Sequence, residues 1–421
     1  MVAFLIHTPT VSLPLAYSLH YLCPMNQRRL LPLFLLLGGL FIGGPQLRAQ
    51  TLYWDVNGTT AGTGTTPSGT WDTSNVWSSD AAGAITTAAW SSAAVAVYSA
   101  GSDATGSYTV TVSGTQTIGG LTVEEGTPYF NGGSLDLPGA TTFDITGNAI
   151  INSAITGTGT LTKTGNGSLT LDGASSYSGG TTITGGTLNA TNNYALGSGP
   201  VTVSGSGTLS IDEYFLYSNS VQVNSGGRLA GNDGGYALAS INAGGTLAPG
   251  TALTGPDAIG TLRFEDLAIG PNGAFEINVQ SNGAGGFYYD QVSVTNTATL
   301  TINATPANRF SLKVISLDAA YALGDLGGLT PGSTYSWLIF QTNGIYDITS
   351  SSSTITPGSF LIDDSAFTTG MSGAGLFTVS QTGYNIYLNF TAVPEPSTYA
   401  LMLAGLGLSS LAAWRKSRRS S

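Results

Sequence analysis

A glycine-rich turn leading into a leucine recurs through the middle of the chain and constrains its fold more than any other feature. Two glycines, adjacent or one residue apart, come just before each of eight leucines: Leu121, Leu135, Leu161, Leu169, Leu188, Leu209, Leu229 and Leu247. From Leu169 onward these leucines lie 19, 21, 20 and 18 residues apart. Glycine provides the positive φ that a sharp corner requires, and no helical periodicity accompanies the repeat. A repeat of about 20 residues of this kind predicts the coils of a parallel β-solenoid.

The remaining composition also favours β-structure. With 59 glycines and only 8% charged residues, the chain is typical of many short strands rather than of disorder. Successive coils should stack about 4.8 Å apart, with the eight leucines pointing inward. From about Gly270, strands in which apolar and polar residues alternate replace the glycine corners. This pattern predicts a β-sandwich-like cap or a wider terminal part of the solenoid. We expect an all-β fold: a right-handed parallel β-solenoid with a β-sandwich-like C-terminal cap, followed by a single C-terminal transmembrane helix.

The start of the chain has the pattern of an export signal. Arg28 and Arg29 precede an apolar run over residues 30–44, and Ala49 is the expected cleavage residue. The run is short and broken by proline and glycine, which favours a signal peptide over a membrane anchor. The predicted segments are residues 1–24 (a misassigned start before Met25), 25–49 (signal peptide), 51–117 (tryptophan-containing N-terminal β cap), 118–269 (solenoid), 270–392 (C-terminal β region) and 393–419 (sorting tail).

Two features of composition exclude whole classes of function. Histidine and cysteine are absent after Met25, because His7, His20 and Cys23 all precede it. Their absence excludes Ser-His-Asp and Cys-His nucleophilic sites, histidine or thiolate metal sites, and disulfides from the exported part. Between Thr51 and Val393, which we call the body, five basic side chains stand against 22 acidic ones, a net charge of −17. Nucleic acid binds basic surfaces, so it is not an expected partner.

The sorting tail has three parts in fixed order. They are a short motif (Val393, Pro394, Glu395, Pro396, Ser397), an apolar run over residues 399–414, and a basic cluster (Arg415, Lys416, Arg418, Arg419). Together they resemble the PEP-CTERM sorting signal, a domain that has also been labelled the C-terminal domain of ice-binding proteins. The resemblance implies recognition by an exosortase, in bacteria that make exopolysaccharide, and processing near Pro394–Pro396. The basic cluster would stay cytoplasmic as a stop-transfer signal and leave the body outside.

A second resemblance lies within the solenoid. Residues 159–188 begin Gly-Thr-Leu-Thr-Lys-Thr-Gly-Asn-Gly-Ser-Leu-Thr-Leu and end Gly-Gly-Thr-Leu. This stretch closely resembles the autotransporter-associated β-strand repeat, and weaker echoes continue to Gly250. Lys163 belongs to the repeat pattern, and we predict that its charge lies on the exterior of the solenoid.

Adjacent acids are the candidate catalytic groups. Four such pairs occur: Glu124-Glu125, Asp212-Glu213, Glu265-Asp266 and Asp363-Asp364. Neighbours in a strand point to opposite faces, so adjacency alone does not build the carboxylate pair of a glycosidase. Asn232-Asp233-Gly234 lacks the ligand spacing of a calcium loop. We expect no catalytic residue, no metal site and no cofactor, although acids from successive coils remain an open alternative.

Two further patterns suggest binding surfaces. Trp54, Trp71, Trp77 and Trp90 suit a sugar-stacking platform, but a hydrophobic plug at the N-terminal end is the favoured interpretation. The stretches Thr109–Val112 and Thr181–Thr184 each contain a T-x-T pattern, which resembles the hydroxyl rows of ice-binding solenoids. The coils lack this pattern at every turn, so ice binding is the lesser alternative.

The sequence therefore predicts an exported, non-enzymatic structural or adhesive protein of the cell surface or extracellular matrix. Expected partners are an exosortase-type enzyme, the membrane through the C-terminal helix before processing, and extracellular polysaccharide as a further candidate. A glycan-binding module and a polysaccharide-active β-helix enzyme remain alternatives. An enzyme would bring acids from neighbouring coils together in a groove, whereas a structural protein would scatter them.

Overall fold

The computed structural model describes residues 49–252, 254–294, 299–369 and 375–393. Across these ranges the chain is all β, apart from two short 3-10 helices at Pro256–Ala258 and Pro357–Ser359. None of the helices in these ranges is long and apolar enough to span a membrane. The predicted signal peptide up to Arg48 and the predicted transmembrane helix lie outside the described residues.

The strands follow one another closely along the chain. The N-terminal end contains β1 (Thr51–Trp54), β2 (Gly69–Trp71), β3 (Trp77–Ser78) and β4 (Val95–Tyr98). Three-stranded coils follow, with β5 (Ser107–Val112), β6 (Thr115–Thr117), β7 (Gly120–Val123), β8 (Thr127–Asn131), β9 (Ser134–Leu137), β10 (Thr141–Ile145), β11 (Asn148–Ile151) and β12 (Ala154–Gly157).

The next coils have two strands each. They are formed by β13 (Leu161–Thr164), β14 (Ser168–Leu171), β15 (Thr181–Ile183), β16 (Thr187–Ala190), β17 (Val201–Val203), β18 (Thr208–Ile211), β19 (Phe215–Val223), β20 (Arg228–Gly231), β21 (Gly235–Ile241) and β22 (Thr246–Pro249). The last part contains β23 (Thr261–Ile269), β24 (Ala274–Ser281), β25 (Phe287–Tyr289), β26 (Gln291–Val294), β27 (Leu300–Ile302), β28 (Phe310–Leu317), β29 (Thr334–Thr342), β30 (Ile345–Asp347), β31 (Phe360–Ala366), β32 (Leu376–Thr382) and β33 (Asn385–Thr391).

These strands stack into three sheets that run along the solenoid. Sheet A has 17 strands and includes β7, β10, β13 and β15; sheet B has 13 and includes β8, β11, β14 and β16; sheet C consists of β6, β9 and β12. From β4 through β24 successive coils pair in parallel, and residues at equal positions of the repeat lie side by side. The prediction of a parallel β-solenoid is therefore confirmed.

The core is made of inward-facing columns. All eight predicted leucines are buried, and five of them stack in register on sheet B, from Leu169 through Leu188, Leu209 and Leu229 to Leu247. Burying one such side chain stabilises the fold by roughly 2 kcal/mol relative to leaving it exposed. Gly186 illustrates the corners: its φ is +61°, and a β-carbon there would collide with the carbonyl oxygen of Gly167 in the previous coil.

The C-terminal region continues the same ladders instead of forming a sandwich. β23 pairs in parallel with β26 and β27, while β24 pairs with β28 and β28 pairs with β31, again in parallel. The wider-solenoid alternative therefore describes this region, and the predicted β-sandwich-like cap is wrong. Among the described strands of this region, two places turn antiparallel: β33 lies between β29 and β32 in sheet A, and β25 pairs with β24 in sheet B. The alternation of apolar and polar residues after Gly270 does not distinguish the two architectures, because the strands of a wider solenoid coil also bury one face, as those of a sandwich do.

Candidate functional site

The two predicted processing positions lie at the margins of the described body. Ala49 is exposed, and the carbonyl of the next residue, Gln50, accepts a hydrogen bond from Val95 N–H at 2.8 Å. Sheet pairing thus begins directly after the predicted cleavage residue. Cleavage itself stays a prediction.

At the other end, the last strand of the body leads straight into the sorting motif. Ala392 is buried, its N–H donates to the carbonyl of Ser333 at 3.0 Å, and its own carbonyl accepts from Gly332 N–H. Val393 follows at once and is 38% exposed. The remaining predicted motif and stop-transfer residues (Pro394, Glu395, Pro396, Ser397, Arg415, Lys416, Arg418 and Arg419) lie outside the described residues.

The N-terminal tryptophans form an aromatic plug rather than a sugar platform. Trp54, Trp71 and Trp77 are 0% exposed, and Trp90 is partly buried against them. Ring centroids lie 5.3 Å apart for Trp54 and Trp77, and 4.6 Å apart for Trp77 and Trp90. Sugars stack on exposed ring faces, so these buried rings instead close the end of the core, as the favoured interpretation predicted.

Lys163 lies inside the solenoid, which contradicts the predicted exterior position. Its side chain is 0% exposed, and it lies in an inward column between Phe143 and Ile183. The Nζ atom satisfies its donors on the carbonyls of Thr164, Gly165 and Gly185, at 2.7 to 3.1 Å. A buried ammonium is tolerated when it is fully hydrogen-bonded, which explains why the charge does not reach the surface.

The predicted threonine rows are short. Thr109 and Thr111 are exposed, but their neighbours in the next coil are Tyr129 and Asn131. On sheet A one row of four threonines does form, from Thr142 through Thr162 and Thr182 to Thr202, and it gives way to Gln222. Because this row of hydroxyls spans four coils and not every coil, ice binding stays the lesser alternative.

A polar groove lies on the outer face of sheet B, where the regular repeat is interrupted. Residues 250–252 and 254–258, which we call the flap, lie between β22 and β23, and the flap begins at reciprocal backbone hydrogen bonds between Gly231 and Gly250 at 2.7 and 3.0 Å. Thr251 N–H also donates to the carbonyl of Asp257, so a hydrogen bond within the flap joins its two ends. Two cavities of about 240 Å³ each lie beside it and share Ser210 and Thr251 as lining residues.

The lining of this groove is dominated by hydroxyl and amide groups. From sheet B it takes Thr170, Thr187, Asn189, Thr208, Ser210 and Arg228, and from the flap Thr251. Ser210 is only 7% exposed, yet in the described part of the chain its hydroxyl has no protein partner. The hydroxyls of Thr187 and Thr208, half-buried in neighbouring coils, also have none there. Partly buried hydroxyls without partners mark a place where water or a ligand completes the hydrogen bonding.

One end of the groove is charged. Arg228 forms an ion pair with Glu276, and Lys313 Nζ lies 3.1 Å from the same carboxylate. Burial acts to raise the pKa of Glu276, but the two cations outweigh it, and the pKa is lowered overall. A third cavity of about 190 Å³ adjoins these three side chains. The ion triad therefore forms a fixed polar wall.

Acids from neighbouring coils also converge beside the groove, around Asp212. Its backbone forms a bridge with that of Asp233, and Asp212 also lines the groove. Partial burial raises the pKa of the Asp212 carboxyl, and the negative charges of Glu213, Asp257 and Asp233 raise it further. Elsewhere the predicted acid pairs are dispersed, with Glu265 and Asp266 on sheet A and Asp363 and Asp364 on sheet B. Across the described ranges no group of three or more acids could hold a metal ion.

Sequence reasoning missed the groove, although a signal for it was present. The leucine spacing of 18 to 21 residues stretches to 28 between Leu247 and its structural successor Phe275. An insertion into a solenoid coil emerges on one face, where it can build a binding wall. Nothing in the sequence indicated that this one lies beside sheet B.

Comparisons with known proteins agree with the two resemblances. The model of the PEP-CTERM protein-sorting motif matches residues 392–419, which include Pro394, Glu395 and the basic cluster. The model of the passenger-associated-transport-repeat matches residues 161–190, from β13 through β16. No curated protein matches the chain. The chain thus has a sorting signal of exported surface proteins directly behind a repeat-built body.

Proposed function

We propose that this protein is a structural or adhesive component of the cell surface or extracellular matrix, displayed by export and C-terminal sorting. The observation that carries the proposal is the junction at Ala392, where the antiparallel end of sheet A leads without a linker into the PEP-CTERM motif. A solenoid with a continuous core is stiff along its axis, as a spacer requires. Dispersed acids over most of the surface agree with a non-enzymatic role.

The sorting tail would hold the body at the membrane until processing. The apolar run over residues 399–414 inserts as a helix, and the four basic residues after it stay cytoplasmic because charge does not cross the bilayer easily. An exosortase-type enzyme then acts near Pro394–Pro396 and releases the body to the surface or matrix.

Fractionation of an internally tagged protein in a host with an exosortase tests this. Replacing Arg415, Lys416, Arg418 and Arg419 with Ser should move protein from the membrane to the periplasm or medium. Changing Pro394 and Glu395 to Ala should instead leave membrane-bound protein that keeps its tail. If both variants fractionate and migrate like the wild type, the tail is not a working sorting signal.

A polysaccharide-active enzyme is the second candidate, because Asp212 lies in a groove with its pKa raised. Such a carboxyl resembles a general acid, and Asp233 or Asp257 would supply the second carboxyl group. Release of reducing ends from neutral polysaccharides by the wild type, lost in Asp212→Asn and kept in Asp266→Asn, would support this candidate. No release by the wild type would favour the structural proposal.

A further inference from the structure

We propose that the groove on sheet B binds one strand of an uncharged, hydroxyl-rich polysaccharide, lying along the solenoid axis. This inference rests on the proposed adhesive function and names the ligand class of its adhesive surface.

The first argument is the unmet hydrogen bonding of the lining. Ser210 is 7% exposed and lines both cavities, and its hydroxyl has no hydrogen-bond partner among the described residues. Thr187 and Thr208, in adjacent coils, add two more hydroxyls without a partner in the part of the chain that the structure describes. A ligand that excludes water from these groups must itself offer donors and acceptors, since an unpaired hydroxyl is costly. A sugar chain offers both along its whole length.

The second argument is shape. The lining residues come from β14, β16, β18 and β20, four successive coils about 4.8 Å apart, so the groove spans roughly 14 Å along the axis. The flap at Thr251 is fixed by its hydrogen bonds and forms one long side. A linear ligand fits such a trough, and the repeat of the coils offers similar groups at each step.

The third argument is charge. Asp212 in the lining of the groove and the net charge of −17 of the body disfavour a polyanion. Arg228 gives one guanidinium contact to Glu276, and its other N–H groups have no acceptor among the described residues. They remain available to donate to a sugar hydroxyl. None of the described residues that line the groove is aromatic, so affinity comes from hydrogen bonds and is modest for a single site.

Affinity electrophoresis of the purified full-length protein tests the proposal, with dextran, yeast mannan and xyloglucan as neutral probes and alginate as the anionic probe. The double variant Thr187→Val/Thr208→Val removes two groove hydroxyls with little change of shape. The matched control, Thr162→Val/Thr182→Val, removes two hydroxyls of the same kind from adjacent coils on sheet A. Melting temperatures verify that both variants fold.

We expect at least one neutral probe to retard the wild type and the control equally, and the groove variant at least tenfold more weakly. Three results would overturn the inference: no retardation of the wild type by any neutral probe, retardation by alginate alone, or equal retardation of the groove variant. Any of these, with membrane fractionation intact, would leave the proposed surface role standing. Loss of sorting with polysaccharide binding intact would contradict the proposed surface role and leave the binding groove supported.

Discussion

The ammonium group of Lys163 donates a hydrogen bond to the carbonyl oxygen of Gly185, 3.1 Å away in the next coil. Two more carbonyls, those of Thr164 and Gly165, accept from the same nitrogen. The side chain thus joins two glycine corners from inside the core, where the other members of its column are apolar. Lys163, whose charge predicted a surface position, therefore contributes to the stacking of the coils.

Replacing Lys163 with Met should destabilise the body by roughly 1–3 kcal/mol, because the apolar stem is kept while three carbonyls lose their donor. Urea unfolding followed by tryptophan fluorescence measures the change. Lys313→Met is the control: its amine is partly exposed and pairs with Glu276 at the surface, so a smaller loss is expected. Equal losses in the two variants would contradict the role of Lys163 at the corner.

Lys163 should also make stability depend on pH. Burial lowers the pKa of its amine to about 8, while Asp144 opposes the shift. Between about pH 8 and pH 10 the unfolded state therefore binds more protons than the folded state, and stability rises with pH through this window. The difference in unfolding free energy between wild type and Lys163→Met should grow over this range. A difference independent of pH would show that the amine titrates normally.

Lys163 also shows what the sequence could and could not predict. It lies two residues after the inward Leu161 in a strand, so alternation alone places it inward, and only its charge argued for the exterior. The leucine columns were predictable because their spacing is local and regular. The groove was not predictable, since it depends on where Thr251 and Ala252 lie relative to sheet B. The approach of Asp233 and Asp257 to Asp212 was not predictable either. The spacing of the leucines predicts how regular coils stack, but it does not predict where an irregular segment between two coils lies.

The leucine column gives a direct test of register. Leu188 lies between Leu169 and Leu209 and is fully buried, so Leu188→Asp places an unpaired carboxylate in the core and should cost several kcal/mol. Asp172→Asn should be nearly silent, because the side chain is exposed and the amide oxygen can still accept from Thr191. Thermal unfolding measures both. Equal melting temperatures for Leu188→Asp and the wild type would contradict the observed register.

The burial of Asp55 at the N-terminal end should also make the stability of the body depend on pH, as the burial of Lys163 does. Burial raises the pKa of this carboxyl, although the N–H groups of Asn57 and Gly58 donate to its Oδ1. Its Oδ2 has no hydrogen-bond partner within the described ranges. A folded pKa above the unfolded value means that the group's contribution to stability falls as pH rises through the folded pKa. Asp55→Asn keeps the accepting oxygen and removes the charge. Its stability relative to the wild type should increase from pH 4 to pH 7 in parallel unfolding titrations, and a flat difference would refute the shift.

The last prediction concerns the junction between β33 and the sorting motif. Ala392 is held through its N–H and its carbonyl by backbone hydrogen bonds to Ser333 and Gly332, so Val393 and the motif begin at the surface of a folded sheet. An enzyme that processes the chain near Pro394–Pro396 must bind several residues in an extended form, and the body crowds its approach. Inserting Gly-Ser-Gly-Ser between Ala392 and Val393 should therefore speed removal of the tail in pulse-chase labelling of a host with an exosortase.

The same insertion beside Gly383, in the exposed turn between β32 and β33, is the matched control, because it lengthens the chain without moving the motif away from the sheet. Removal of the tail should then proceed at the wild-type rate. Faster removal with both insertions would indicate that loosening β33 matters rather than distance. An unchanged rate with the junction insertion would mean that the enzyme accepts the motif directly at the edge of the folded body, which the fixed position of Ala392 would then help to present.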